Sequence, residues 1–142
     1  MQATVRWAGD VKFEAKSETG HQLIMDGPEQ YGGQNQGPRP MELILLGVGG
    51  CSSFDVIQIL KKSRQQIVDC MAELKAERVD EVPAVFKSIH LHFKVAGTGL
   101  DPKRVARAVS LSAEKYCSAS IMLGKGGVDI SHSYEIIEVA AS

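Results

Sequence analysis

The sequence predicts an α+β fold in the element order βββαββααβ, and three observations carry that reading. Short alternating segments open the chain, a proline-led run that is apolar on nearly every side follows, and two further alternating segments precede a helical stretch and a last strand. The order lacks regular βαβ units, which favours α+β over a parallel doubly wound sheet.

Thr4 to Trp7, Val11 to Ala15 and Gln22 to Met25 are separated by Gly9-Asp10 and Thr19-Gly20, the spacing of an antiparallel meander with tight turns. Between Asp26 and Pro40 the chain is rich in Gly, Pro, Gln and Asn without periodicity, a loop of a length usually kept for function or mobility. Pro38-Arg39-Pro40 then starts a helix running to about Ser63, because proline suits the first helical position. Glu42 places a negative charge near the positive end of its dipole. Apolar residues cover almost the whole circumference from Leu43 to Val48, so this long helix is expected to be buried in the middle of the fold. Its later part becomes amphipathic through Val56, Ile57 and Leu60.

Cys70 to Arg78 alternates, with Cys70, Leu74 and Ala76 on one face. Val85 to Val95 alternates again, with Ile89, Leu91 and Phe93 inward and His90, His92 and Lys94 outward. Asp101-Pro102 is an N-cap followed by proline in the first turn of a helix to about Tyr116. Ser118 is placed to cap a short helix ending at Gly124, and Val128 to Val139 alternates as the final strand.

A chain of 142 residues is the size of one domain, here residues 1–142, with 44% hydrophobic and 23% charged residues. Its net charge of -1 argues against an electrostatic partner such as nucleic acid or a membrane surface, and small or apolar partners fit better. The apolar stretch from Leu43 to Phe54 falls short of the roughly 20 residues of a bilayer crossing, and Met1 to Trp7 has no signal-peptide pattern. The chain is therefore expected in the cytosol, where three cysteines imply catalytic, metal-binding or core roles rather than a disulfide framework.

Gly47, Gly49 and Gly50 lie within one turn of Cys51 inside a helix, where each costs about 1 kcal/mol relative to alanine. Close helix packing is one explanation; direct approach of a backbone or substrate to Cys51 is the other. Cys117 precedes the short helix, where the helix dipole and Lys115 favour a thiolate, or it fills the corner between two helices. Cys70 shares a face with Leu74 and Ala76 and reads as a core residue.

Three runs bear a resemblance. Gly37-Pro38-Arg39-Pro40-Met41-Glu42-Leu43 through Gly47-Val48-Gly49-Gly50-Cys51, then Val85 to Phe93, then Leu111-Ser112-Ala113-Glu114-Lys115-Tyr116-Cys117-Ser118 resemble the superfamily of osmotically inducible protein C and organic hydroperoxide resistance proteins (OsmC/Ohr), nearest its YhfA-like branch. The resemblance implies an OsmC-like fold in an intertwined homodimer whose subunits build two sites together. It also implies peroxidase chemistry, in which Cys51 attacks a peroxide oxygen and becomes a sulfenic acid, Cys117 resolves it as a disulfide, and a dithiol such as dihydrolipoamide restores the pair. Peroxidatic members further carry an arginine in the N-terminal strands and a glutamate that holds it beside the thiolate. Val11 to Gly20 contains no arginine, and ten residues before Cys51 stands Met41, with Glu42 one place on and about opposite Cys51 on an ideal helix.

Arg78 is the candidate replacement, because continuing the alternation of Leu74 and Ala76 points it inward, where a guanidinium needs a carboxylate or thiolate partner. If the strand ends at Glu77, Arg78 is exposed instead. Asp55, one turn after Cys51, could pair with such an arginine; unpaired, it would raise the thiol pKa. His90 and His92 have two-ligand spacing without a third ligand and read as a solvated strand face, and His132 reads as a hydrogen-bonded core histidine. No metal or cofactor is expected. The two functions to weigh are a thiol peroxidase for small organic hydroperoxides with catalytic Cys51, Cys117 and Arg78, and a non-catalytic relative that binds a small apolar ligand.

Overall fold

The structure, a computed structural model, describes residues 1–141. Strands β1 (Ala3–Trp7), β2 (Lys12–Ser17) and β3 (Gln22–Asp26) are followed by a 3-10 turn and by α1 (Pro40–Lys62). Then come β4 (Gln66–Arg78), β5 (Phe86–Thr98), α2 (Pro102–Leu111), a π turn (Ser112–Tyr116), α3 (Ser118–Lys125) and β6 (Asp129–Glu138). The chain divides into two compact units after Leu46.

The first unit is the expected antiparallel meander, in which Trp7 faces Phe13 and Phe13 faces Met25. None of its hydrophobic side chains is buried, and Val5, Trp7, Leu23 and Ile24 are exposed. Its one buried ionisable group is Asp26, which holds the following loop from inside by accepting the backbone N–H groups of Gly27, Gln34 and Gln36. The Gln34 amide does most to lower the Asp26 pKa, helped by Gln36, Gly27 and the Arg39 charge and opposed by burial. A carboxylate with a depressed folded pKa stabilises the loop fully above its unfolded value and ceases to do so as pH falls through the folded one. Protection of the Gln34 and Gln36 amides from hydrogen exchange is therefore expected to collapse on acidification, and to be reduced already at neutral pH in Asp26→Asn. Equal protection in both proteins would remove this role.

Glu42 does more than favour the helix dipole. Its carboxylate accepts the Arg39 backbone N–H at 2.9 Å, half of a capping box at the start of α1.

In the second unit, Val48, Gly49, Ser52, Val56 and Leu60 form one buried face of α1 at the four-residue spacing of a helix. Leu74 of β4 sits over Gly49, where a Cβ would come within 2.9 Å of its Cδ1, so close packing accounts for that glycine. Gly47 and Gly50 face open space, and Phe54 on the same side is 65% exposed. The helix is thus apolar all round, as its sequence indicates, while the chain by itself covers one face. At 23 residues, with an 18-residue stretch of mean hydropathy 1.8, it would also suffice to cross a bilayer, but Asp55 interrupts it and its buried face packs on the sheet.

β5 is the central strand of the second sheet, pairing antiparallel with β4 and parallel with β6. Ile89, Leu91, Phe93 and Val95 point inward and are at most 2% exposed. Val105, Ala108 and Val109 supply the buried face of α2, which Asp101 caps by accepting the Lys103 N–H. The parallel β5–β6 pair is a feature that alternation alone cannot show, and it requires the crossover that α2 and α3 provide.

Candidate active site: a buried thiol pair

Cys51 lies on α1 one residue before the buried Ser52, and Cys117 stands between the π turn and α3. The fold brings the two thiols near each other, and both are free. Cys51 is half-buried, whereas Cys117 is fully buried. Cys70 stays on β4 opposite Val95, half-buried, with its pKa raised by burial and by the Asp69 charge.

The residue that caps α3 is Cys117 rather than the Ser118 expected from sequence, and its sulfur accepts the Ser120 N–H at 3.4 Å. The π turn sets this up, ending on a Cys117 N–H that donates to the Ser112 carbonyl and leaving Cys117 extended at the head of α3. Two hydroxyls complete the surroundings, Ser120 donating to the sulfur at 3.0 Å and Ser52 at 3.1 Å. Ser52 and Ser120 also lie 3.2 Å apart, and the buried Ser112 donates to the Ser52 carbonyl at 3.0 Å.

These contacts divide the two sulfurs electrostatically. Burial pushes the Cys51 thiol up, reinforced by its hydrogen bond to Cys117 and by charge on that sulfur, and the backbone amides of Ala119 and Ser118 only partly oppose this. Burial would also raise Cys117, but the Ser120 and Ser52 hydroxyls, the Ser120 amide and the Cys51 thiol outweigh it and bring the pKa down. The negative charge of the pair thus favours Cys117.

Arg78 does not join the thiols. A bulge between Glu77 and Arg78 breaks the alternation that would have turned it inward, and the exposed side chain donates Nε to the Ala84 carbonyl at 2.7 Å. Asp55 has no arginine partner among the described residues; it accepts a long 3.4 Å bond from Ser112, and burial raises its pKa against that bond. Arg6 of β1, outside the arginine-free segment Val11 to Gly20, lies in register with Glu14 of β2 in the first unit.

Beside Asp55 opens a cavity of about 710 Å³, with Phe54, Ile59, Leu111 and Tyr116 among its apolar walls and Lys62, Arg104 and Arg107 among its polar ones. His90 and His92 are half-buried rather than solvated. Parallel pairing puts Ser131, Ser133 and Glu135 beside them, so His90 bonds both serines and His92 bonds Ser133 and Glu135. His132 is half-buried opposite Leu91 and faces a small cavity beside Val109.

Ser52 and Ser120 were not legible as site residues from spacing, although Ser52 falls four residues from both Val48 and Val56 on the core face of α1. A hydroxyl at such a position needs a buried partner, which was the available signal.

Residues 33–133 match the family model described as OsmC-like protein. The chain is 49% identical over 137 residues to Protein YhfA of Escherichia coli K12, covering 96% of this chain and 98% of that protein. A solved protein from Aquifex aeolicus VF5 is 29% identical with a TM-score of 0.84, covering 98% of this chain and 97% of that one. An organic hydroperoxide resistance protein OsmC from Legionella pneumophila shares the fold at 20% identity and a TM-score of 0.72, with 94% and 95% covered. With the element order, the thiol geometry and these likenesses in agreement, the chain belongs to the OsmC-like protein family.

Proposed function

We propose that this protein is a cytosolic thiol peroxidase that reduces small organic hydroperoxides through Cys51 and Cys117 and is restored by a dithiol. The observation that carries the reading is that two of three cysteines, distant in sequence, lie near each other while Cys70 stays apart. Disulfide formation is geometrically demanding, so a pair this close is a redox couple by construction more readily than by accident. Cys51, the more accessible thiol, meets the peroxide, and Cys117 resolves the sulfenic acid. The apolar walls of the cavity beside Asp55, one turn on from Cys51, favour organic over strongly hydrated peroxides. Arg78, engaged with the Ala84 carbonyl, takes no part.

The same proposal assigns a homodimer, because the first unit buries none of its hydrophobic side chains and α1 leaves the side of Gly47, Gly50 and Phe54 uncovered. One equivalent of cumene hydroperoxide is expected to remove two titratable thiols and to give an intramolecular Cys51–Cys117 peptide by mass spectrometry, with Cys70 still free. A Cys70 adduct, or three surviving thiols, would refute the pair.

A second reading, binding of a small ligand without turnover, draws on the open cavity beside Asp55. It is favoured if hydroperoxide leaves all thiols intact while an apolar ligand raises the melting temperature.

A further inference from the structure

No guanidinium is among the leading influences on either sulfur. A thiolate in a buried position must then be held by hydrogen bonds, and the geometry supplies them. Three donors converge on the Cys117 sulfur, the hydroxyls of Ser52 and Ser120 and the Ser120 N–H, with the Cys51 thiol close by. Ser52 and Ser120 are 2% and 3% exposed, so water does not compete for them. Each hydroxyl has one proton to give, and a thiolate sulfur accepts such bonds far more strongly than a neutral thiol does. Such a cluster is best satisfied with the charge on Cys117 and the proton on Cys51.

We propose that Ser52 and Ser120 are positioning residues that keep the charge of the pair on Cys117, making its thiolate the base that takes the Cys51 proton as Cys51 attacks a peroxide. This rests on the peroxidase reading for the reaction and on geometry alone for the charge. In the first step the Cys51 sulfur bonds to the terminal oxygen of ROOH and the O–O bond breaks. The proton of Cys51 passes through Cys117 to the departing alkoxide, giving Cys51 sulfenic acid and ROH. Cys117, again a thiolate, then attacks the Cys51 sulfur and releases hydroxide as the disulfide forms. Two electrons leave the two sulfurs and reduce the peroxide. The described arrangement thereby takes over, with neutral hydroxyls, the task an arginine performs in an ordinary thiolate site.

The titratable group beside Cys117 is Cys51 from α1, and Asp55 of the same helix bonds Ser112 instead. The π turn carries Glu114, Lys115 and Tyr116 on its exposed side, and α3 adds Lys125 at its far end.

The test is a thiolate absorbance titration of the full chain carrying Cys51→Ser and Cys70→Ser, which leaves Cys117 as the only thiol and keeps a donor at position 51. Its midpoint is expected below the roughly 8.5 of a free cysteine, and adding Ser52→Ala or Ser120→Ala should raise it, by about one unit or more when both are replaced. Ser112→Ala, which disturbs the same buried cluster without touching the sulfur, should leave the midpoint in place. If the pair of alanines does not fold, the single variants decide. A midpoint that the serine variants do not move, or that Ser112→Ala moves equally, overturns the proposal. In the chain with all three cysteines, the acid limb of the pH profile for hydroperoxide consumption should shift upward with Ser52→Ala while KM changes little. Because the titration uses no peroxide, a failed peroxidase assay and a failed charge assignment remain separate results.

Discussion

Cys51→Ser is expected to reduce consumption of cumene hydroperoxide, with dihydrolipoamide or dithiothreitol as donor, to the rate of a protein-free solution. The oxygen of serine is a poor nucleophile towards peroxide and cannot form the sulfenic acid on which every later step depends. Cys117 cannot take over, since its sulfur is fully buried behind Ser52 and Ser120. Cys117→Ser should behave differently: the first step slows because the base that takes the Cys51 proton is gone, and the accessible Cys51 sulfenic acid that still forms has no internal thiol to condense with. Cys70→Ser should turn over like the parent chain. Wild-type activity no higher than that of Cys51→Ser would end the peroxidase assignment, whatever the fold.

Sedimentation at micromolar concentration is expected to give twice the chain mass, and Phe54→Asp to shift the protein towards monomer. The expectation comes from uncovered apolar surface: Phe54 is 65% exposed, Gly47 and Gly50 beside it meet nothing, and the first unit leaves Trp7 at 66% and Val5 at 57% exposed. Soluble monomers seldom leave so much apolar side chain in water. Burying one phenylalanine contributes about 1.5–3 kcal/mol, so replacing it by a charge should raise the dissociation constant at least about tenfold. A stable monomer for the parent chain would remove the dimer and any site shared between copies.

Periodicity made much of the fold legible. The strands of the meander, the Asp101 cap and the inward row Ile89, Leu91 and Phe93 were all readable because each depends on neighbours two to four residues away. β4 begins four residues earlier than Cys70 because its pairing with β5 extends the ladder to Gln66, where the side-chain pattern is no longer regular. The helix expected to reach Tyr116 gives way after Leu111 to a π turn, a change that no residue pattern announces and that presents Cys117 as a cap.

The sequence by itself determined the class of fold, the apolar helix that carries Cys51, and the candidacy of Cys117 at the start of a helix. Only the tertiary structure decided that the two thiols meet, that Arg78 turns to the Ala84 carbonyl at a bulge, and that the hydroxyls of Ser52 and Ser120 gather on the buried sulfur. The reason is the range of the forces involved. Burial patterns repeat along one element and can be read there, but a hydrogen bond is a contact of about 3 Å between groups whose separation along the chain carries no information about their separation in space.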